Sequence, residues 1–295
     1  MRYRGGITMT RSLTSDMCRS LAALTSFTVA GAMVLAGAGL ASAEQPATDA
    51  ASAQSVEESL QNLEEVNPGL LAVPVESETH GLAGSSHSVP IGGGSVEVSS
   101  SPAEGVSLRS SEGEALSIQL PHANSAEPVE VLEDGTFAYP GEDSANAVVV
   151  TEQGVQMLTT IANEGASSTF AYEIDLSVGE TLELVPSGAA VVVDSAGETV
   201  LAFGEPWASD AEGKEVETWF EVNGSTLTQV VDHASDEDVT YPVVSDPIVL
   251  APWMVRCLVG IGLKSPDITR IAQLGTPYSI LAAFGRGAVA CVFMK

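Results

Sequence analysis

Glu217-Thr218-Trp219-Phe220-Glu221-Val222-Asn223-Gly224-Ser225-Thr226-Leu227-Thr228-Gln229-Val230-Val231 is two runs rich in β-branched and aromatic residues, folded back on an Asn-Gly pair. Strand-forming residues on either side of a dipeptide that tolerates positive φ predict a β-hairpin with a type I′ turn at Asn223-Gly224. The pattern continues upstream. Short alternating runs at 96–98, 116–120, 129–132, 147–151, 155–161, 169–174, 181–185, 189–193 and 199–203 are separated by turn residues. Asp134-Gly135 suits another type I′ turn, and Ala196-Gly197 and Glu212-Gly213 suit tight turns. Short strands so punctuated predict a mainly β chain, with an antiparallel β-sandwich-like domain over 95–248.

The style changes after residue 248. Residues 250–263 are almost continuously apolar. Ser265-Pro266-Asp267 reads as N-cap, first-turn proline and first-turn acid of a second helix, which Gly275 ends. Thr276-Pro277 starts a third helix that runs to about residue 292. The expectation is a short α-helical C-terminal module over 249–295, each helix shorter than the roughly 20 residues that span a bilayer. Cys257 falls in its first helix and Cys291 near the end of its last.

Residues 44–94 read as a low-complexity acidic leader with one short helix at 55–63, where Ser55 and Glu58 have capping-box spacing. Its polar composition predicts a mobile spacer, continued by Gly92-Gly93-Gly94. Upstream, Arg2, Arg4, Arg11 and Arg19 precede an apolar run at 21–40 and then Ala41-Ser42-Ala43. That order predicts a signal peptide over 1–43, cleaved between Ala43 and Glu44, with Ala41 and Ala43 in the small-residue subsites. A retained membrane anchor is the other reading of the run. Export to an oxidising compartment, with Cys18 removed, favours a disulfide between Cys257 and Cys291; two buried thiols are the alternative.

The formal charge of −28 is unevenly placed. Residues 44–249 hold 37 Asp and Glu against Arg109 and Lys214, whereas 250–295 hold Arg256, Lys264, Arg270, Arg286 and Lys295 against Asp267 alone. So acidic a body repels phosphate backbones, which excludes nucleic acid as its partner. No His-x-x-x-His, Cys-x-x-Cys or Gly-x-Ser-x-Gly spacing is present, so no catalytic, metal-binding or cofactor-binding residue is expected. His80, His87 and His122 lie in polar stretches. His233, in the acidic run 231–238, reads as a strand-end loop, because the glycine of a calcium loop is missing. Asp210-Ala211-Glu212-Gly213 reads as a hairpin tip.

Pro206-Trp207-Ala208, Asp210-Ala211-Glu212-Gly213-Lys214 and Tyr241-Pro242-Val243-Val244-Ser245-Asp246-Pro247 resemble a family of uncharacterised secreted proteins of actinobacteria. In that family an acidic β-rich region ends in a similar Tyr-Pro-Val-Val-x-Asp-Pro signature. The resemblance covers about residues 95–247 and implies secretion but no activity. Physically, the signature reads as an edge or final strand that Asp246-Pro247 ends. The resulting expectation is a secreted non-enzymatic protein with a binding or structural role at or outside the cell envelope. Arg256, Lys264, Arg270, Arg286 and Lys295 are its candidate contacts with an anionic membrane surface or an envelope protein. The plainer role for the helices is to pack on the β-domain, completing its core and pairing their cations with its acids. Two alternatives stand beside these: a bacteriocin-like membrane-active effector in 249–295, held inactive by the acidic β-domain, and a hydrolase using dispersed acids such as Asp232, Asp236 and Glu237.

Overall fold

The computed structural model describes residues 51–75 and 86–293. The expected signal segment with Ala41, Ala43 and Glu44, and also His80 and Lys295, lie outside the described residues. Helix α1 (Ala53–Val66) comes first. Strands β1 (Ser86–Ile91), β2 (Gly94–Ser99), β3 (Val106–Ser110) and β4 (Ala115–Gln119) follow as a meander. A second meander contains β5 (Glu130–Val131), β6 (Phe137–Tyr139), β7 (Ser144–Thr151) and β8 (Gly154–Ile161). Next come β9 (Thr169–Ile174), β10 (Thr181–Leu184), β11 (Ala190–Val193), β12 (Thr199–Phe203) and β13 (Trp207–Ser209). The hairpin of β14 (Thr218–Asn223) and β15 (Thr226–Val231), then β16 (Val243–Asp246) and β17 (Ile248–Leu250), complete the strands. Helices α2 (Pro252–Gly260), α3 (Ser265–Leu274) and α4 (Pro277–Phe293) end the described chain.

The strands form two antiparallel sheets, as expected. The first has the order β1-β2-β3-β4-β9-β15-β14. The second runs β10-β11-β12-β17-β8-β7-β6-β5, with β16 joining β8 to β13. Val98, Leu108, Phe170, Tyr172 and Leu227 of the first sheet share one core with Phe137, Val148, Met157, Leu201 and Val243 of the second. Strand β9 alternates exposed and buried residues, as a sheet with one wet face should, whereas every residue of β8 is buried. The second sheet is covered on both faces. On its outer face Ala147, Val149, Leu158 and Val244 pack under Val56, Leu60 and Leu63 of α1, a smaller core of its own.

Several expectations are corrected. The hairpin turn is not type I′ at Asn223-Gly224: Asn223 pairs with Thr226 inside the ladder, leaving a two-residue loop of Gly224 (φ 63°) and Ser225. Positive φ is needed only at the first loop position, which glycine fills. At Asp134-Gly135 the loop has three residues. Leu132 N–H donates to Thr136 O, Gly135 N–H donates to Leu132 O, and Gly135 alone has positive φ. The leader is no simple spacer in its described parts, because α1 packs on the second sheet and β1 buries Val89 and Ile91 in the main core. Its helix starts earlier than the Ser55–Glu58 box: Ser52 is the N-cap and its Oγ accepts the Ser55 N–H at 3.2 Å.

The C-terminal module is helical and closed by the expected Cys257–Cys291 disulfide, with Cα atoms 5.4 Å apart, which ties α2 to α4. Ser265 is not the cap of α3. Lys264 holds that position, and the Ser265 hydroxyl bonds Thr199 Oγ1 at 2.8 Å instead. The last helix is broken at Gly285 (φ 81°), into two pieces rather than one. Met254, Val255, Leu258, Ile268, Ile271, Ile280 and Val292 all enter the core shared by the two sheets.

Candidate functional site

The stretch Tyr241–Pro247 does not end at an edge. Strand β16 pairs with β8 on one side and β13 on the other, and the chain continues as β17 between β8 and β12. Pro247 O accepts the Met157 N–H at 2.9 Å, but proline has no N–H to return, so one ladder bond is lost and pairing resumes at Ile248 with Gln156. The strand survives because a single missing donor costs less than the pairing on both sides gains.

Asp246 is fully buried, and the Gln156 Nε2 donates to its Oδ2 at 2.9 Å. Its Oδ1 makes no hydrogen bond. Burial pushes the carboxyl up to about 8, against the smaller opposing pull of Gln156 and the neighbouring Trp207 donors. Sequence reading missed both partners of this pair. The one available signal was a lone amide in the apolar run Val155-Gln156-Met157-Leu158, because a polar side chain inside a buried strand must find a partner.

His233 lies in the expected strand-end loop, after β15, and is buried there. Tyr241 Oη donates to the His233 carbonyl at 3.1 Å and meets the ring Nδ1 at 2.8 Å, while Nε2 lies 3.4 Å from Ser168 Oγ. A serine hydroxyl on an imidazole nitrogen is the contact a nucleophilic mechanism would use. Here the contact is long, the ring is enclosed, and Ser167 O lies 3.2 Å from the same nitrogen. The group clamps the 232–241 loop to the start of β9.

The acids weighed for hydrolysis, Asp232, Asp236 and Glu237, all sit in that loop. Asp236 is bound by Lys214 Nζ at 2.8 Å, which holds its carboxyl below the usual range, and Asp232 N–H donates to Glu217 O. Asp210 stabilises the hairpin tip. Its carboxylate accepts from Glu212 N at 3.0 Å, Lys214 N at 2.8 Å and Thr240 N at 3.1 Å. Among the described residues no three His, Cys, Asp or Glu side chains converge on a point that would hold a metal ion.

The five cations fare differently from one another. Arg256 is taken by Glu112 (3.7 Å) and Glu114 on the β3–β4 turn. Beside it, the Trp253 indole donates to Gly92 O and lies on Gly93 and Gly94, so the glycine run is the seat of a tryptophan. The Arg270 guanidinium stands 5.9 Å over the Phe284 ring. Lys264 and Arg286 are exposed, with no acidic partner among the described residues. Around them Ile261, Tyr278 and Leu281 are also exposed, Tyr278 at 81%. Ile261 reaches α4 at Gly287, and Tyr278, Leu281 and Phe284 follow at three-residue spacing on α4. The helices α2–α4 thus expose apolar and cationic side chains together. No helix among the described residues is long and apolar enough to cross a membrane.

No protein-family model matches the chain, and no curated protein matches it.

Proposed function

We propose that this is a secreted, non-enzymatic protein that binds at the cell envelope through the outer face of α2–α4. The observation that carries the reading is that Ile261, Tyr278 and Leu281, and Lys264, Arg270 and Arg286, are all exposed on one module whose buried residues are committed to the core. Apolar side chains beside cations suit an interface with anionic lipid headgroups. The acidic body is repelled by such a surface, so contact is confined to this face. Arg256 is left out, since Glu112 and Glu114 already hold it. The family resemblance and the N-terminal Arg-rich and apolar segments support export, as does the disulfide.

Co-sedimentation of residues 44–295 with phosphatidylglycerol-containing vesicles tests the reading. Each Lys or Arg near an anionic surface contributes about 1 kcal/mol, so the K264E/R270E/R286E variant should bind roughly a hundredfold more weakly or worse. Binding should fall with salt and be absent on phosphatidylcholine alone. Equal binding by the variant, or none by the parent, would overturn the reading.

A further inference from the structure

Residues 67–75 leave α1 as a strap across the outer face of the second sheet, and their polar contacts converge on one side chain. Gln156 Oε1 accepts the Ala72 N–H at 2.8 Å, while its Nε2 donates to Leu70 O at 2.9 Å and to Asp246 Oδ2 at 2.9 Å. Both amide protons and the amide oxygen are thereby used. Farther along, Val75 N–H donates to Val150 O at 2.8 Å. The apolar hold is light, since Leu70 and Leu71 are only partly buried and Val73 is 83% exposed.

We propose that Asp246 is a pH-sensitive latch on this strap: with the carboxyl neutral the strap lies closed on Gln156, and loss of the proton drives it off the sheet so that water reaches the charge. A buried carboxylate without a cation is strongly unfavourable, and one oxygen of this one lacks any donor. Beyond the Gln156 and Trp207 donors, which burial outweighs, the surroundings offer no compensating positive charge. The strap carries no charged side chain, α1 brings Glu57, Glu58, Glu64 and Glu65, and the β5–β6 turn brings Glu133 and Asp134. The β13–β14 turn brings Asp210 and Glu212, with Lys214 turned to Asp236. From the first sheet comes Tyr172, kept neutral by its own burial. Closed, the acid titrates at about 8; hydrated, it would return to its ordinary 3.8, so opening releases one proton between those values. Because α1, Leu70 and Leu71 rest on the smaller core and only the partly buried Val75 of the strap touches the main one, they can loosen without opening the main core.

Native-state hydrogen exchange of the Ala72 and Val75 amides, on the intact protein and corrected for intrinsic rates, tests this. Their opening constants should exceed those of β9 and β15 amides at least a hundredfold, rise about tenfold per pH unit between about pH 4 and 8, and then level off. Asp246→Asn should flatten the rise, and Gln156→Leu should raise exchange at both amides at every pH. The latch is overturned if strap and β-core amides share one opening constant, if the parent shows no rise, or if Asp246→Asn retains it.

Discussion

Replacing Asp246 by asparagine should change the pH dependence of global stability more than its absolute value. The native carboxyl titrates at about 8 and the unfolded one near 3.8, so between these values the unfolded chain has lost a proton that the native state keeps. Native stability therefore falls as pH rises through that window, and is independent of this group above it. One pKa unit is about 1.4 kcal/mol, so this single group removes about 4 kcal/mol between pH 4 and pH 7. The substituted asparagine is neutral throughout. Its side-chain oxygen still accepts from Gln156, and its own unpaired N–H groups add a penalty of about 1–3 kcal/mol that does not vary with pH. The other carboxylates titrate in both proteins and cancel in the comparison. Urea unfolding followed by tryptophan fluorescence at intervals from pH 4 to 8 should show the variant gaining about 4 kcal/mol on the parent from pH 4 to 7. An opening strap would cap that gain at the free energy of opening. A difference that stays constant with pH would refute the buried, unpaired state of Asp246.

Two further outcomes follow from the helical module. The Cys257→Ser/Cys291→Ser variant, which reopens a separation of 34 residues, should lose about 4 kcal/mol in urea unfolding and still melt in one transition; an unchanged midpoint, or separate melting of α2–α4, would contradict the shared core. In Gly94→Ala the added Cβ would sit 2.3 Å from Arg109 O and 2.8 Å from the Trp253 ring, so about 1–3 kcal/mol of stability and the native tryptophan emission should change, and a variant indistinguishable by calorimetry and fluorescence would refute the close packing of α2 on the β1–β2 hairpin.

Much of the fold was legible wherever local chemistry decides. Alternation around Gly224 placed β14 and β15, Gly275 ended α3, and the spacing of Cys257 and Cys291 in a chain read as exported anticipated their bond. The turn types were misread at Gly135 and Gly224 because composition shows that a positive φ is available, whereas the strand register decides which loop position needs it. Ser265 was misread as a cap because its competing partner, Thr199, is 66 residues away.

The candidate sites were less legible still. Asp246 and Tyr241 stood out only as parts of a signature, and His233 only as a histidine among acids. Burial of Asp246 depends on β16 lying between β8 and β13 beneath α1, and the surroundings of His233 depend on the 232–241 loop meeting β9. Arg256 and Arg286 are alike in the sequence, yet one is neutralised by the β3–β4 turn and the other is exposed with no acidic partner among the described residues. The β-rich class, the helical end, the sulfur pair and the opposed charges of body and tail could all be read from the chain, because periodicity, turn chemistry and composition are local or additive. Which carboxyl is buried, which cation is spent and which glycines seat a tryptophan emerged only on folding, because burial and pairing are set by residues distant in the chain.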